Sequence, residues 1–90
     1  MLTARSRSRI VDHVNAKQAL ALVWLRRLAA SGEAKAIREQ AGLSIREQAA
    51  AIDASPSALF RWENGERIPR GDAAVRYAKF LEQLAAWRSS

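Results

Sequence analysis

Cysteine is absent from the chain, which excludes disulfides and thiolate metal sites and fits a reducing compartment. Glycine and proline are scarce, four and two among 90 residues. With 49% of the residues apolar, that scarcity makes an all-α bundle the natural class. Long hydrophobic runs are missing as well. The densest, ALALVWL at residues 19–25, falls far short of the ~20 apolar residues that span a bilayer. The basic first residues are followed by no cleavable signal, so the expected location is the cytoplasm, away from membranes. Equipment for catalysis is also lacking. His13 is the single histidine and has no cysteine or clustered carboxylate for company, and a surface or interface role is the commoner fate of such a residue. No glycine-rich loop cradles a phosphate. The reading is of a non-enzyme that needs no cofactor and no metal.

What is present is positive charge. Fifteen Lys and Arg face nine Asp and Glu, a formal net charge of +6, with a pI of about 11.1. Such a balance points to a polyanionic partner. Arg5, Arg7 and Arg9 supply three of those charges, so the remainder of the chain carries about half of the excess. Basicity alone does not separate a nucleic-acid binder from a generic soluble protein, and the motifs must decide.

Ninety residues hold one domain with one modest core. Residues 1–9, MLTARSRSR, form a short basic arm, expected to be flexible. A helical pattern runs over residues 10–31, with Val14, Leu20, Ala21, Val23, Trp24, Leu25 and Leu28 as its apolar side, until Ser31-Gly32 interrupts it. The unit at 33–88 follows. Its first helix, over 33–41, brings Ile37 to the core. A long last helix runs from about residue 71 to 87 and buries Ala74, Val75, Ala78, Leu81, Leu84 and Ala85, with Tyr77, Phe80 and Trp87 adding bulk.

Between these helices lies the most telling segment, LSIREQAAAIDASPSALFRWENGERIP at residues 43–69. Ser44-Ile45-Arg46-Glu47 has capping-box spacing, so a helix starts at Ile45 with Ala49 and Ile52 inward. It should stop near Asp53, which tolerates a left-handed backbone, with Ser55-Pro56 close behind. Ser55 then caps a second helix, Pro56 fits its first position, and Gly65 ends it. Leu59 and Trp62 face inward. That leaves Ser55, Pro56, Ser57, Phe60 and Arg61 outward. Two short helices joined by a tight turn are the arrangement that enters a DNA major groove.

The segment resembles the helix-turn-helix of the phage repressor and Cro family, also called the XRE family, over residues 34–84. The features that match are Ala49 facing the turn, the core positions Ile52, Leu59 and Trp62, the triplet Glu63-Asn64-Gly65, and Pro69 four residues later. Two positions depart from the pattern: Gln48 stands where the family usually has Leu, and Asp53 where it often has Gly. They point to a loosened turn, or to a polar partner for Gln48. The resemblance implies a lambda-repressor-like, all-α helical bundle with the motif at 44–65, here carrying an extra N-terminal helix and a long C-terminal one. It also implies a scaffold ion pair, because the family pairs an Arg on the first helix with the Glu of the triplet, and Arg38 stands at that place opposite Glu63.

The resemblance further implies double-stranded DNA as the partner and puts the outward face of helix 55–63 near base edges. Ser55, Pro56, Ser57, Phe60 and Arg61 are the candidates for base contact. The Arg61 fork matches the O6/N7 acceptors of guanine, with a phosphate contact as the alternative. Ser57 suits a base or a phosphate. Phe60 suits a thymine methyl, or it folds back onto the core. For the phosphates, the amide end of the helix at Ser44 and Ile45 suits an anion, Arg46 lies beside it, and Arg67 and Arg70 flank the triplet loop unless they are merely solvated. Asn64 matches the triplet Asn that often reaches the backbone in this family. Arg5, Arg7 and Arg9 are either a minor-groove arm or a solubilising tail.

The expected function is a sequence-specific, repressor or Cro-like transcriptional regulator on the nucleoid, with dimeric binding to an inverted repeat as the family's habit. The extra helix leaves the assembly open. It pairs internally with the long last helix, with Trp24 and Trp87 as anchors, or its broad apolar face serves a homodimer. The rival reading from another class is an antitoxin-like or assembly module whose helix 10–30 binds a partner protein.

Overall fold

The computed structural model describes residues 15–89, which form five helices and no strand. They are α1 (Ala16–Ser31), α2 (Glu33–Gln40), α3 (Ile45–Ala51), α4 (Pro56–Glu63) and α5 (Gly71–Ser89). None is long and apolar enough to cross a membrane. The extra helix is shorter than its apolar period suggests. It starts at Ala16 rather than at residue 10, because Asn15 is extended (φ −91°, ψ 177°) and its Oδ1 accepts from the Gln18 N–H at 2.8 Å. The Asn15 side chain satisfies an orphan amide of the first turn, as an N-cap does. Residues 10–14, the arm with Arg5, Arg7 and Arg9, and His13 lie outside the described residues.

The core draws on every helix. Leu22 and Leu25 from α1 meet Ala34 and Ile37 of α2, Ala49 and Ile52 at the end of α3, and Leu59 and Trp62 of α4. Ala74, Tyr77, Ala78 and Leu81 of α5 complete it. Small residues sit where helices approach closely: Ala34, Ala49, Ala74 and Ala78 are fully buried. Leu25, Ile52, Leu59 and Leu81 are also fully buried, each worth about 1.5–3 kcal/mol relative to exposure. The Trp62 and Tyr77 rings stack with centroids 5.3 Å apart at 24°, which joins the second motif helix to α5.

α1 packs on α5 more extensively than any other pair of helices. Asn15 and Lys17 line a groove with Lys79 and Glu82, while Arg26 reaches Pro69. Trp24 is half-buried in this pairing. Trp87 is not its opposite number. It is 61% exposed and lines a shallow cleft with Ala41, Leu43 and Leu84, because its position near the end of α5 faces the α2–α3 connection. The other side of α1 leaves Leu20 71% and Val23 54% exposed.

One buried group has neither outcome expected of it. Gln48 is fully buried, and neither its amide nitrogen nor its oxygen has a partner. The helix around it is not loosened: its N–H donates to Ser44 O at 3.0 Å and its carbonyl accepts from Ile52 at 3.1 Å. Desolvating an amide without compensation costs about 1–3 kcal/mol, and Leu fills a similar volume without that cost. Gln48→Leu is expected to raise stability by about 1–3 kcal/mol, read as a higher urea midpoint; a lowered midpoint would mean that the amide is satisfied in solution.

Candidate nucleic-acid interface

The second motif helix is held by chemistry local to its own ends. Ser55 is extended and its Oγ accepts from the Ala58 N–H at 3.0 Å, with Pro56 in the first helical position. At the other end Asn64 caps the helix and Gly65 takes φ +72°. The Gly65 N–H then donates to Trp62 O and the Glu66 N–H to Arg61 O, the paired bonds of a Schellman turn. α2 closes in the same way at Gly42 (φ +76°), and α3 at Asp53 (φ +56°). Asp53 thus does what glycine does elsewhere, since a short polar side chain tolerates the left-handed region. α3 opens on a complete capping box: Ser44 Oγ accepts from Glu47 N–H at 3.0 Å, and Glu47 Oε1 accepts from Ser44 N–H at 2.8 Å.

Orientation comes from further away. Arg38 Nε donates to Glu63 Oε2 at 2.7 Å and its Nη2 to Oε1 at 3.0 Å, a bidentate pair between α2 and the last residue of α4. Its Nη1 donates to Leu43 O at 2.8 Å. Both residues are buried, 7% and 6% exposed. The hydrogen bond to Glu63 raises the Arg38 guanidinium above its ordinary value against the opposing effect of burial. Burial also pushes the neighbouring Tyr77 hydroxyl up, and the Glu63 carboxylate adds to that.

Two further arginines hold loops, and the sequence reading did not find them. Arg76 of α5 donates through Nε to Ile52 O at 2.7 Å and through Nη2 to Asp53 O at 3.1 Å. It therefore grips the turn between the motif helices, where the end of α3 presents its carbonyls and attracts a cation. Arg26 of α1 donates to Pro69 O through Nη2 at 3.2 Å and Nε at 3.4 Å. No spacing marks Arg76. Arg26 does carry a signal, since Leu22, Leu25, Arg26 and Ala29 make an i, i+3, i+4, i+7 stripe, and a charge within a core stripe calls for a partner.

The candidate base-contacting residues, Ser55, Pro56, Ser57, Phe60 and Arg61, are all exposed on α4 while Leu59, Trp62 and Glu63 are buried. Phe60 is 53% exposed, which overturns the alternative that folds it onto the core: Leu59 and Trp62 take the inward positions and leave it outside. The Ser55 hydroxyl already serves as a cap acceptor and retains its O–H and one lone pair to offer. Asn64 Nδ2 donates to Phe60 O at 2.9 Å, so one amide hydrogen closes its own helix and one is left. Ser44 is exposed, whereas the Ile45 side chain packs against the core and offers only its N–H.

The guanidiniums of Arg46, Arg61, Arg67 and Arg70 are exposed and engage no partner among the described residues. Arg67 and Arg70 line one shallow cleft with Trp62, Gly65, Glu66 and Ile68. Glu66 is the one acid there and opposes an anion. The described residues hold no group of three or more His, Cys, Asp and Glu side chains suited to a metal.

A helix-turn-helix family model matches residues 35–85, from α2 through most of α5 and more than half of the chain. No curated protein and no solved structure matches it. α1 lies outside the matched span.

Removing Arg38 leaves a buried, uncompensated carboxylate. Arg38→Ala is expected to cost about 3–5 kcal/mol, and Arg38→Met with Glu63→Leu much less than the two single changes together. Urea unfolding reads both; an unchanged midpoint in Arg38→Ala contradicts the role given to the pair.

Proposed function

Because the chain belongs to the helix-turn-helix family of XRE type, whose members are DNA-binding transcription regulators, we propose that it is a sequence-specific repressor of Cro type. It reads the major groove with helix 55–63. The observation that carries this reading is the division of α4, with its core side pinned by Glu63 and the Trp62–Tyr77 stack and its exposed side left with an unpaired Arg61. Arg61, Ser57 and Phe60 meet base edges, with Ser55 and Pro56 at the entry of the helix. The exposed aromatic ring of Phe60 suits a thymine methyl. Arg46, Arg67, Arg70, the remaining amide hydrogen of Asn64 and the Ser44–Ile45 end of α3 meet phosphates, which positions the helix without carrying sequence information. Two copies bind an inverted repeat, and repression follows from occlusion of a promoter.

A second reading has one observation in its favour. Leu20 and Val23 form an exposed apolar face on α1, the kind of surface through which an antitoxin-like or assembly module takes up a partner protein. Leu20→Asp would then abolish partner capture while Arg61→Ala left it intact.

Selection of random duplex DNA at about physiological salt, read by sequencing, tests the first reading, since salt suppresses phosphate-driven binding. An enriched inverted repeat is expected, and a single enriched half-site would mean a monomeric reader. Arg61→Ala is expected to lose about 1–3 kcal/mol of discrimination at one base pair with its melting temperature unchanged. No enrichment with the unaltered protein would contradict sequence-specific regulation.

A further inference from the structure

The segment that joins the motif to α5 carries two unpaired guanidiniums, those of Arg67 and Arg70, and it is thinly fastened. The Glu66 and Arg67 N–H groups donate to Arg61 O, at 2.9 and 3.3 Å. Beyond them, Ile68, Pro69 and Arg70 make no backbone–backbone hydrogen bond among the described residues. The Pro69 ring is fully buried, and Ile68 on one side of it is 55% exposed. Two donors reach this stretch, Arg26 Nη2 and Nε, both onto Pro69 O. They come from α1, 43 residues away in sequence and outside the span matched to the family. Arg26, Ala29 and Ala30 also line a small cavity of about 90 Å³ with Trp62, Arg67 and Pro69, so α1 backs this segment directly.

We propose that Arg26 is a positioning residue for DNA binding: its fork on the Pro69 carbonyl fixes the segment that presents Arg67 and Arg70 to the phosphate backbone. The inference rests on the proposed phosphate contacts of those two arginines. Without the fork, holding Arg67 and Arg70 on the phosphates costs the ordering of the segment, so the contacts form only part of the time and both affinity and salt slope fall. The fork removes the cost beforehand. It also gives the extra helix a part in recognition that its packing on α5 does not explain.

The test is a mutant cycle on the full chain with a mixed-sequence duplex of about 20 base pairs, roughly two helical turns. Affinity is measured from about 50 to 200 mM salt, where each phosphate contact contributes about −0.9 to the slope of log K against log salt. Arg26→Met is expected to weaken binding and flatten the slope by up to about 1.8, the share of two contacts. In an Arg67→Gln, Arg70→Gln background it is expected to change neither quantity. A loss of equal size in both backgrounds overturns the proposal, because Arg26 would then act on DNA by itself; so does an unchanged slope in the otherwise unaltered protein. If Arg67→Gln with Arg70→Gln leaves affinity and slope as they were, the phosphate contacts themselves fail and the positioning role with them. Should Arg26→Met not fold, as thermal melting will show, Arg26→Lys carries the same cycle with the same outcomes, since it keeps the charge and loses the fork.

Discussion

The bidentate pair between Arg38 and Glu63 is the constraint on which the arrangement of the other elements depends. Glu63 is the last residue of α4, two positions beyond Arg61, so whatever fixes its carboxylate fixes the direction in which the exposed side of that helix points. The same guanidinium holds Leu43 O and so sets the connection from which α3 starts. One side chain therefore relates α2, the entry to α3 and the end of α4. Its value lies in direction more than in stability. A buried ion pair gains little over well-packed apolar residues, but a planar fork on a carboxylate admits one geometry, whereas an apolar contact tolerates sliding. The Trp62–Tyr77 stack supplies the second point of attachment, this time to α5.

Around that pair seven arginines fall into two groups, while Arg88 bonds Gln40 and Glu33 at the surface. Arg26, Arg38 and Arg76 point into the protein, each onto a carbonyl that follows a helix end or a loop. Arg46, Arg61, Arg67 and Arg70 point outward and stay unpaired among the described residues. A count of basic residues merges these groups, and a net charge of +6 says nothing of which guanidiniums are available to a polyanion. Arg38 and Arg76 share a logic, whereas Arg26 reaches a loop carbonyl just ahead of α5. Schellman turns satisfy the amides after each motif helix but leave carbonyls at the turn, where the helix dipole favours a cation. Arginine reaches such carbonyls from a neighbouring helix while its stem covers apolar surface.

The motif was readable because its determinants are local. Ser44 with Glu47, Ser55 with Pro56, and the left-handed residues Asp53 and Gly65 each act within a few residues, and their signals agree with the apolar spacing. The start of α1 follows the same rule: the apolar period runs on upstream, and the Asn15 side chain sets the first turn at Ala16. Phe60 and Trp87 were harder, since the exposure of a large aromatic depends on which neighbours already fill the core. For Phe60 these are Leu59 and Trp62, and for Trp87 the position of the helix end decides. The grips of Arg76 and Arg26 span 24 and 43 residues; no local pattern marks Arg76, and the apolar stripe that holds Arg26 does not say which carbonyl it reaches. Gln48 shows the converse, a buried position legible from the motif whose polar identity nothing in its surroundings compensates.

The most direct test of this division is to follow the arginine side-chain Nε–H resonances of the isotopically labelled protein during titration with duplex DNA. The account predicts shifts for Arg46, Arg61, Arg67 and Arg70, while Arg38 and Arg76 keep their positions and their protection from solvent exchange. Shifts at Arg27 and along the exposed side of α1, with Arg61 and Arg67 unmoved, would contradict it.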